Sequence, residues 1–368
     1  MLRLFLYPLS WLYGFGVYLR NQAYDLNLLK SKEFDVPVIS IGNITVGGTG
    51  KTPHVEYLVQ LLRGKFEIAT LSRGYKRKTS GFIHVETDSK VTEVGDEPLQ
   101  IKKKFPKQTV SVCEKRVEGV KKLLSNNGGK IPDVIILDDA FQHRRITPGI
   151  NILLIDYNRQ IKKDYLLPAG RLRESSHQMR RANIIIFTKC PDEVTPIMRR
   201  ILQKDVRLKP YQSLFFSAMV QDKLKPVFEG VINNEEFYND KTWSVLVVTG
   251  IASPKLVFNH IKKFSVITEL LSFPDHHYYS ENDVQKILQK LGEINSGKKI
   301  IVTTEKDATR IKDMENLPDE FKDSLFYLPL NVKFLENEGK EFNQKILNYV
   351  GENKSNRELY KRKNKRKS

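Results

Sequence analysis

Hydrophobic and polar positions follow two rhythms along this chain. Short apolar runs at residues 36–41, 67–72, 109–113, 134–138, 150–156 and 183–188 alternate with stretches whose apolar residues recur every three or four positions. Val55, Leu58, Val59, Leu61 and Leu62 show that spacing, and residues 98–104 and 116–126 repeat it. Strands buried on both faces read as unbroken apolar runs, and helices as a period near 3.6, so the first half predicts an α/β doubly wound parallel sheet. From 206 to 242 the pattern shortens into alternating pieces around Val206, Leu208, Leu214 to Phe216 and Val227, which reads as a linker with paired strands. The α/β rhythm resumes at Trp243, with strands at 244–249, 265–271 and 299–303, helices at 254–262 and 281–292, and a last helix at 341–350. The expected organisation is an N-terminal segment 1–30, an α/β domain 31–205, linker strands 206–242, a second, smaller α/β domain 243–352 and a tail 353–368.

Both ends break the rhythm. Residues 4–19 carry no charge, lie between Arg3 and Arg20, and include Phe5, Tyr7, Trp11, Tyr13, Phe15 and Tyr18. A helix of that length spans roughly 24 Å, short of the ~30 Å hydrocarbon core of a bilayer. Pro8, Gly14 and Gly16 weaken it further, and no small-residue cleavage site follows, which argues against a secretory signal. Aromatic side chains suit the headgroup zone, so the segment predicts a monotopic element at a bilayer surface. A helix packed on the protein's own core is the alternative that the same pattern allows.

Charge adds a constraint. Lys and Arg number 61 against 43 Asp and Glu, a net +18 over 368 residues. Residues 354–368 hold eight Lys or Arg and one Glu without apolar periodicity, and read as a disordered basic tail. The remaining +11 implies an anionic partner: nucleic acid, a membrane surface or a phosphorylated substrate. No nucleic-acid motif is present, and no nucleic acid is expected. Cys113 and Cys190 alone exclude a disulfide framework and a CxxC metal site.

The chemistry begins at Thr45-Val46-Gly47-Gly48-Thr49-Gly50-Lys51-Thr52, set between a predicted strand and a predicted helix. Backbone N–H groups of such a turn cradle phosphate at a helix N-terminus. Lys51 would reach the β- and γ-phosphates of ATP, and the Thr52 hydroxyl would bind Mg²⁺. The strict P-loop pattern wants glycine where this chain has Thr45. The run at 134–137 ends in Asp138-Asp139, the geometry of a metal-holding acid at a strand's C-terminal end, with either carboxylate open to the role. His143 follows closely and reads as structural or functional. A nucleotide-switched, membrane-associated ATPase shares this kind of glycine loop and is a second reading.

Residues 40–53, Ser-Ile-Gly-Asn-Ile-Thr-Val-Gly-Gly-Thr-Gly-Lys-Thr-Pro, resemble the signature of the tetraacyldisaccharide 4′-kinase (lipid A 4′-kinase) family, in which the threonine departure is normal. Further blocks match in order: Leu71 to Tyr75, Val94 to Pro98, Leu137 to His143, Pro168 to Glu174, Thr249 to Ile251, Phe273 to His276 and Thr303 to Asp307. The resemblance runs to about residue 330 and leaves out the basic tail. It implies ATP-dependent phosphorylation of the 4′-hydroxyl of an acylated glucosamine disaccharide 1-phosphate, at the cytoplasmic face of a bacterial inner membrane, in a cleft between two α/β domains. It also implies Asp96 as the base with His276 paired to it, Glu174 as a second metal ligand beside Thr52, Asp138 and Asp139, and Arg73, Tyr75, Arg116, His143 and Arg171 at the substrate. Forked arginine donors suit the phosphate and sugar groups of such a lipid.

Overall fold

The computed structural model describes residues 2–125, 130–159, 161–228, 232–252 and 254–365. It opens with α1 (Leu2–Asp25), followed by β1 (Val38–Gly42), α2 (Lys51–Leu62), β2 (Ile68–Ser72), β3 (Ile83–His84), α3 (Val91–Val94), α4 (Asp96–Lys104), β4 (Thr109–Val112), α5 (Arg116–Leu124), β5 (Val134–Leu137), β6 (Ile150–Asp156), β7 (Ile184–Thr188), α6 (Pro196–Val206) and β8 (Ser213–Gln221). The second unit comprises β9 (Lys225–Pro226), α7 (Asn234–Asp240), β10 (Ser244–Thr249), α8 (Lys255–Ile261), β11 (Thr268–Ser272), α9 (Glu281–Glu293), β12 (Lys299–Thr304), α10 (Glu305–Ile311), α11 (Asp319–Ser324) and β13 (Leu325–Leu328). The chain then returns through β14 (Leu330–Phe334) and ends in α12 (Glu338–Lys365).

Nine strands form the large sheet in the order β14-β8-β7-β6-β1-β5-β2-β4-β3. All neighbours are parallel except the two edge pairs, β14 with β8 and β3 with β4. The strand order reverses at β1, which lies between β5 and β6, so the crevice beyond the carboxyl end of β1 is the expected place for a ligand. The smaller sheet runs β11-β10-β12-β13-β9, parallel except for its short edge strand β9. Apolar side chains cover both faces of each sheet: Val55, Leu58 and Leu62 of α2 on one face of the large sheet, Val120 and Leu123 of α5 on the other, and Val284, Ile287 and Leu291 of α9 on the small one.

Two expectations about the domains change. The strand at 213–221, expected among the linker strands 206–242, belongs to the first unit: Phe215 and Phe216 are buried, and β8 completes the parallel part of the large sheet. The last helix also belongs to the large sheet rather than to the second unit. Phe342, Ile346 and Val350 recur every four residues along α12 and join the core of β1 and α2, with Phe342 stacked on Phe334 at 4.6 Å between ring centroids. The backbone remains helical to Lys365, well into the stretch read as a disordered tail; residues 366–368 lie outside the described residues.

Helix α1 lies against the first unit by one face only. Ser10 donates to the Leu166 carbonyl at 3.0 Å and accepts from the Ala169 N–H at 2.8 Å, while Tyr13 donates to the Arg173 carbonyl at 2.9 Å. A Cβ on Gly14 would meet Leu166 Cδ1 at 2.6 Å, so glycine permits this approach. The opposite face exposes Trp11, Leu12, Phe15, Tyr18 and Leu19. Among the described residues, no helix is long and apolar enough to cross a membrane.

Candidate active site

The loop after β1 is built to present backbone N–H groups. Gly47 and Gly50 adopt φ of +99° and +83°, a region that residues with a Cβ avoid. Gly50 directly precedes the first turn of α2, so Lys51 and Thr52 sit at a helix N-terminus, where the dipole favours an anion. The loop is braced from below. Asn43 Nδ2 donates to Thr49 Oγ1 at 2.8 Å, and Thr188 Oγ1 donates to the Thr49 carbonyl at 2.9 Å. Lys189 donates to the Gly48 carbonyl, and Arg159 Nη1 to the Val46 carbonyl at 3.1 Å. On its outer side Val46 N–H donates to the Arg171 carbonyl at 2.8 Å, and Thr45 bridges Leu172. Arg171 thus meets the loop through its backbone, while its side chain is exposed.

Beneath the loop, His54 Nδ1 donates to the Gly50 carbonyl, 2.8 Å away, and its Nε2 lies 3.1 Å from Ser217 Oγ. Burial pushes its pKa down to about 4.

Asp138 and Asp139 end the β5 strand in different environments. Asp139 lies 3.6 Å from Lys51 Nζ and accepts two bonds from Arg173 Nη1, at 3.0 and 3.1 Å. Burial alone would raise its pKa; Lys51 and Arg173 outweigh it and hold the carboxyl low. Asp138 is buried, and among the described residues its Oδ1 has no hydrogen-bond partner. Burial first, then Glu97 and Asp139, push it up to about 7 against the pull of Lys51 and Arg116. A buried carboxylate oxygen without a donor carries a desolvation cost that a donor, a proton or a cation would relieve.

A basic surface adjoins this pair. Arg116, itself buried, donates to the Cys113 and Asp138 carbonyls at 2.7 and 3.3 Å. Burial and the positive charge of Arg116 push His143 down to about 4, with Arg73 and Arg20 adding to the effect. Arg73 and Tyr75 are exposed. Glu174 is placed differently from the expectation of a metal ligand. Its oxygens are taken by Arg181 and by Asn21 Nδ2 at 3.2 Å, so it ties α1 to the loop beside the site.

The second unit closes the site over α4. Asp96, its first residue, follows Gly95 and is almost entirely buried. His276 Nδ1 lies 2.9 Å from Asp96 Oδ2, with His276 held at φ +60°. Arg310 Nε and Nη2 donate to the same oxygen at 3.1 and 2.5 Å, and Lys306 Nζ lies 3.6 Å from it. Burial opposes ionisation, but the His276 bond and the charges of Lys306 and Arg310 hold Asp96 well below the usual carboxylate range. Lys306 also pairs with Glu97 at 3.0 Å, linking this cluster to the acid that bears on Asp138. The neighbouring histidine points elsewhere: His277 bonds Asp283 at 3.0 Å and stacks on Phe273.

Reading the sequence missed Arg310, His54 and Lys189. The first had a faint signal, a position three residues after Asp307 on one helical face; the other two are visible only once β7, β8 and the loop are side by side. Lys306-Asp307, from the matching block Thr303 to Asp307, is part of the junction: Asp307 is buried and accepts from Arg310, Thr304 and the Gly250 N–H at 2.8, 2.7 and 3.0 Å.

Fold and site together define a mixed α/β protein with a large, mainly parallel sheet and a glycine turn ahead of a helix at its switch point. A family model described as tetraacyldisaccharide-1-P 4′-kinase matches residues 2–351. A tetraacyldisaccharide 4′-kinase of Phocaeicola vulgatus is 45% identical over 95% of this chain and 96% of its own length, and one of Flavobacterium psychrophilum is 42% identical over 96% and 99%. A crystal structure of an Aquifex aeolicus LpxK in complex with ATP superposes with a TM-score of 0.73 at 32% identity, covering 95% of this chain and 99% of that one. The chain belongs to the tetraacyldisaccharide-1-P 4′-kinase family.

Proposed function

We propose that this protein transfers the γ-phosphoryl group of ATP to the 4′-hydroxyl of a tetraacylated glucosamine disaccharide 1-phosphate, a step of lipid A synthesis, while docked on the cytoplasmic face of a bacterial inner membrane. The observation that carries the reading is the meeting of two clusters, Lys51 with Asp138 and Asp139 on the first unit and Asp96 with His276 across the junction. The residues from Thr45 to Thr52 receive the phosphates, with Lys51 on the β- and γ-groups. The donor set fits Mg²⁺, which prefers one or two carboxylates plus nucleotide phosphates to an all-protein cage. Asp138, with its unpartnered oxygen, and the Thr52 hydroxyl would hold it, and the ion would neutralise charge on the phosphates. Asp139 is engaged by Lys51 and Arg173 and orients them. Glu174 is left out of the metal set because its charge is paired with the Arg181 guanidinium and its carboxylate is held by Asn21.

In the transfer, the 4′-oxygen bonds to the γ-phosphorus as the bond to the β,γ-bridging oxygen breaks. The hydroxyl proton passes to Asp96, and ADP leaves. His276 orients that carboxylate. Arg73, Tyr75 and His143 form the surface for the sugar and its phosphate, with the buried Arg116 adding positive charge behind it and Arg171 at its rim. The test is labelled ATP with the disaccharide 1-phosphate lipid in detergent, followed by chromatography of the lipid. Label is expected in the lipid, falling at least a hundredfold in Lys51→Ala and Asp96→Asn. ATP hydrolysis without labelled lipid would sink the kinase in favour of a nucleotide switch.

A further inference from the structure

The two oxygens of Asp96 are loaded unequally. Oδ2 takes Arg310 Nε at 3.1 Å, Arg310 Nη2 at 2.5 Å and His276 Nδ1 at 2.9 Å, with Lys306 Nζ at 3.6 Å. Oδ1 accepts one hydrogen bond among the described residues, from the Glu97 backbone N–H at 2.9 Å. A carboxylate oxygen has room for about two good donors, so Oδ2 is saturated and Oδ1 keeps a free lone pair. Arg310 is itself fixed. Its Nη1 donates to Asp307 Oδ1 at 2.8 Å and to the Gly250 carbonyl at 3.0 Å, and its side chain is 2% exposed. Asp307 is anchored in turn by Thr304 and the Gly250 N–H. The guanidinium is therefore a rigid fork projecting from α10 of the second unit onto α4 of the first.

Resting on the reading of Asp96 as the base, we infer that Arg310 is a positioning residue for the acceptor site: by occupying Oδ2 it fixes the carboxylate plane and leaves Oδ1 as the atom that receives the hydroxyl proton. The arrangement has a cost and a gain. A carboxylate under a guanidinium is a weaker base, but it stays ionised and correctly turned at any pH at which the enzyme works. The groups facing Asp96 are His276 and Tyr278 from the loop after β11, Lys306, Asp307 and Arg310 from α10, and Glu97 beside it on α4. Arg310 is the one that forks onto it and is permanently charged. Without it, Asp96 regains a more ordinary carboxylate pKa and protonates as the pH falls.

The experiment measures kcat and the ATP KM of full-length Arg310→Gln, Arg310→Lys and Asp96→Asn in detergent from pH 5 to 9. Arg310→Gln is expected to lower kcat at least tenfold at pH 8 with the ATP KM within threefold of wild type. Its deficit should widen further towards pH 5, as the acid limb moves up. Arg310→Lys keeps the charge and loses the fork, so it should lower kcat while its acid limb stays near that of wild type. A deficit in Arg310→Gln that is the same at every pH, or a kcat within twofold of wild type, overturns the inference. Should Arg310→Gln not fold, Arg310→Lys decides alone: wild-type kcat means that the fork is not needed. Appreciable transfer by Asp96→Asn would instead defeat the base assignment beneath it, a separate outcome.

Discussion

At the scale of single residues, the site depends on positions where no other side chain serves. Gly50 turns the chain at φ +83°, and a Cβ there would lie 2.2 Å from Met219 Cε. Gly50→Ala therefore meets a left-handed backbone cost of roughly 1–2 kcal/mol and a contact that must be relieved. The expected result is an ATP KM raised at least tenfold with a melting temperature only a few degrees lower; an unchanged KM would mean that this turn does not hold the nucleotide. Glu56 offers a second test. Lys104 lies 2.6 Å from Glu56 and 3.3 Å from Glu305, so one ammonium serves two carboxylates in a buried place. Burial, with Glu305 adding, pushes Glu56 up to about 7. Its folded pKa lies above its unfolded value near 4.5, so the folded state holds the extra proton between those limits. The resulting stabilisation is present at the acid end and fades as pH rises through 7. Glu56→Gln should thus gain stability relative to wild type by on the order of 2 kcal/mol between pH 4.5 and 8. Melting curves at several pH values check this, and a difference that does not vary with pH would refute it.

At the scale of elements, α1 is the informative case. Its length and aromatic content suit a bilayer surface or a protein core, and the structure packs one face on the first unit and leaves the other exposed. Ser10, Tyr13, Gly14 and Asn21 meet the first unit, while Trp11, Phe15 and Tyr18 lie in the open. Burial of such a face in the headgroup region contributes about 25 cal/mol per Å² of apolar surface. The double change Trp11→Ser with Phe15→Ser is expected to release the protein from anionic vesicles in a sedimentation assay while detergent-solubilised activity stays within threefold. Continued co-sedimentation would move the membrane contact elsewhere. The same helix shows what a sequence reveals. Strands β1, β2, β4, β5, β6 and β7 were legible because unbroken apolar runs have few other uses, and the glycine loop because its spacing matches its chemistry. The partner of each buried charge was not legible. Asp139 with Arg173 and Asp96 with Arg310 are pairings made by strand order and domain contact, over separations of 34 and 214 residues that local patterns do not encode.

At the scale of the whole molecule, the charge of the C-terminus and its structure separate. The apolar positions Phe342, Ile346 and Val350 belong to the core of the first unit, whereas the basic run begins beyond them. Removing residues 356–368 should therefore leave detergent activity and melting temperature close to wild type. Removing everything from 338 onward should give insoluble protein, since it strips three large buried side chains from the sheet, each worth roughly 2–5 kcal/mol. Soluble, active protein after the longer deletion would show that α12 is dispensable.

The return of the chain through β14 sets how the two units can move. β8 leaves the large sheet towards the second unit, and β14 comes back antiparallel beside it, paired from Gln221 with Leu330 to Ser217 with Phe334. The second unit thus hangs on a two-stranded ribbon instead of a single tether. A ribbon of hydrogen-bonded strands bends across its flat face far more readily than it shears or swivels, because those motions break its ladder. Any movement of α10 relative to α4 would then follow a single arc, like a door on a hinge, and would return His276 and Arg310 to the same side of Asp96. Correct registration of the acceptor site is in this sense inherited from five residue pairs on the ribbon, two of which, at Ser217 and Met219, also lie against the glycine loop.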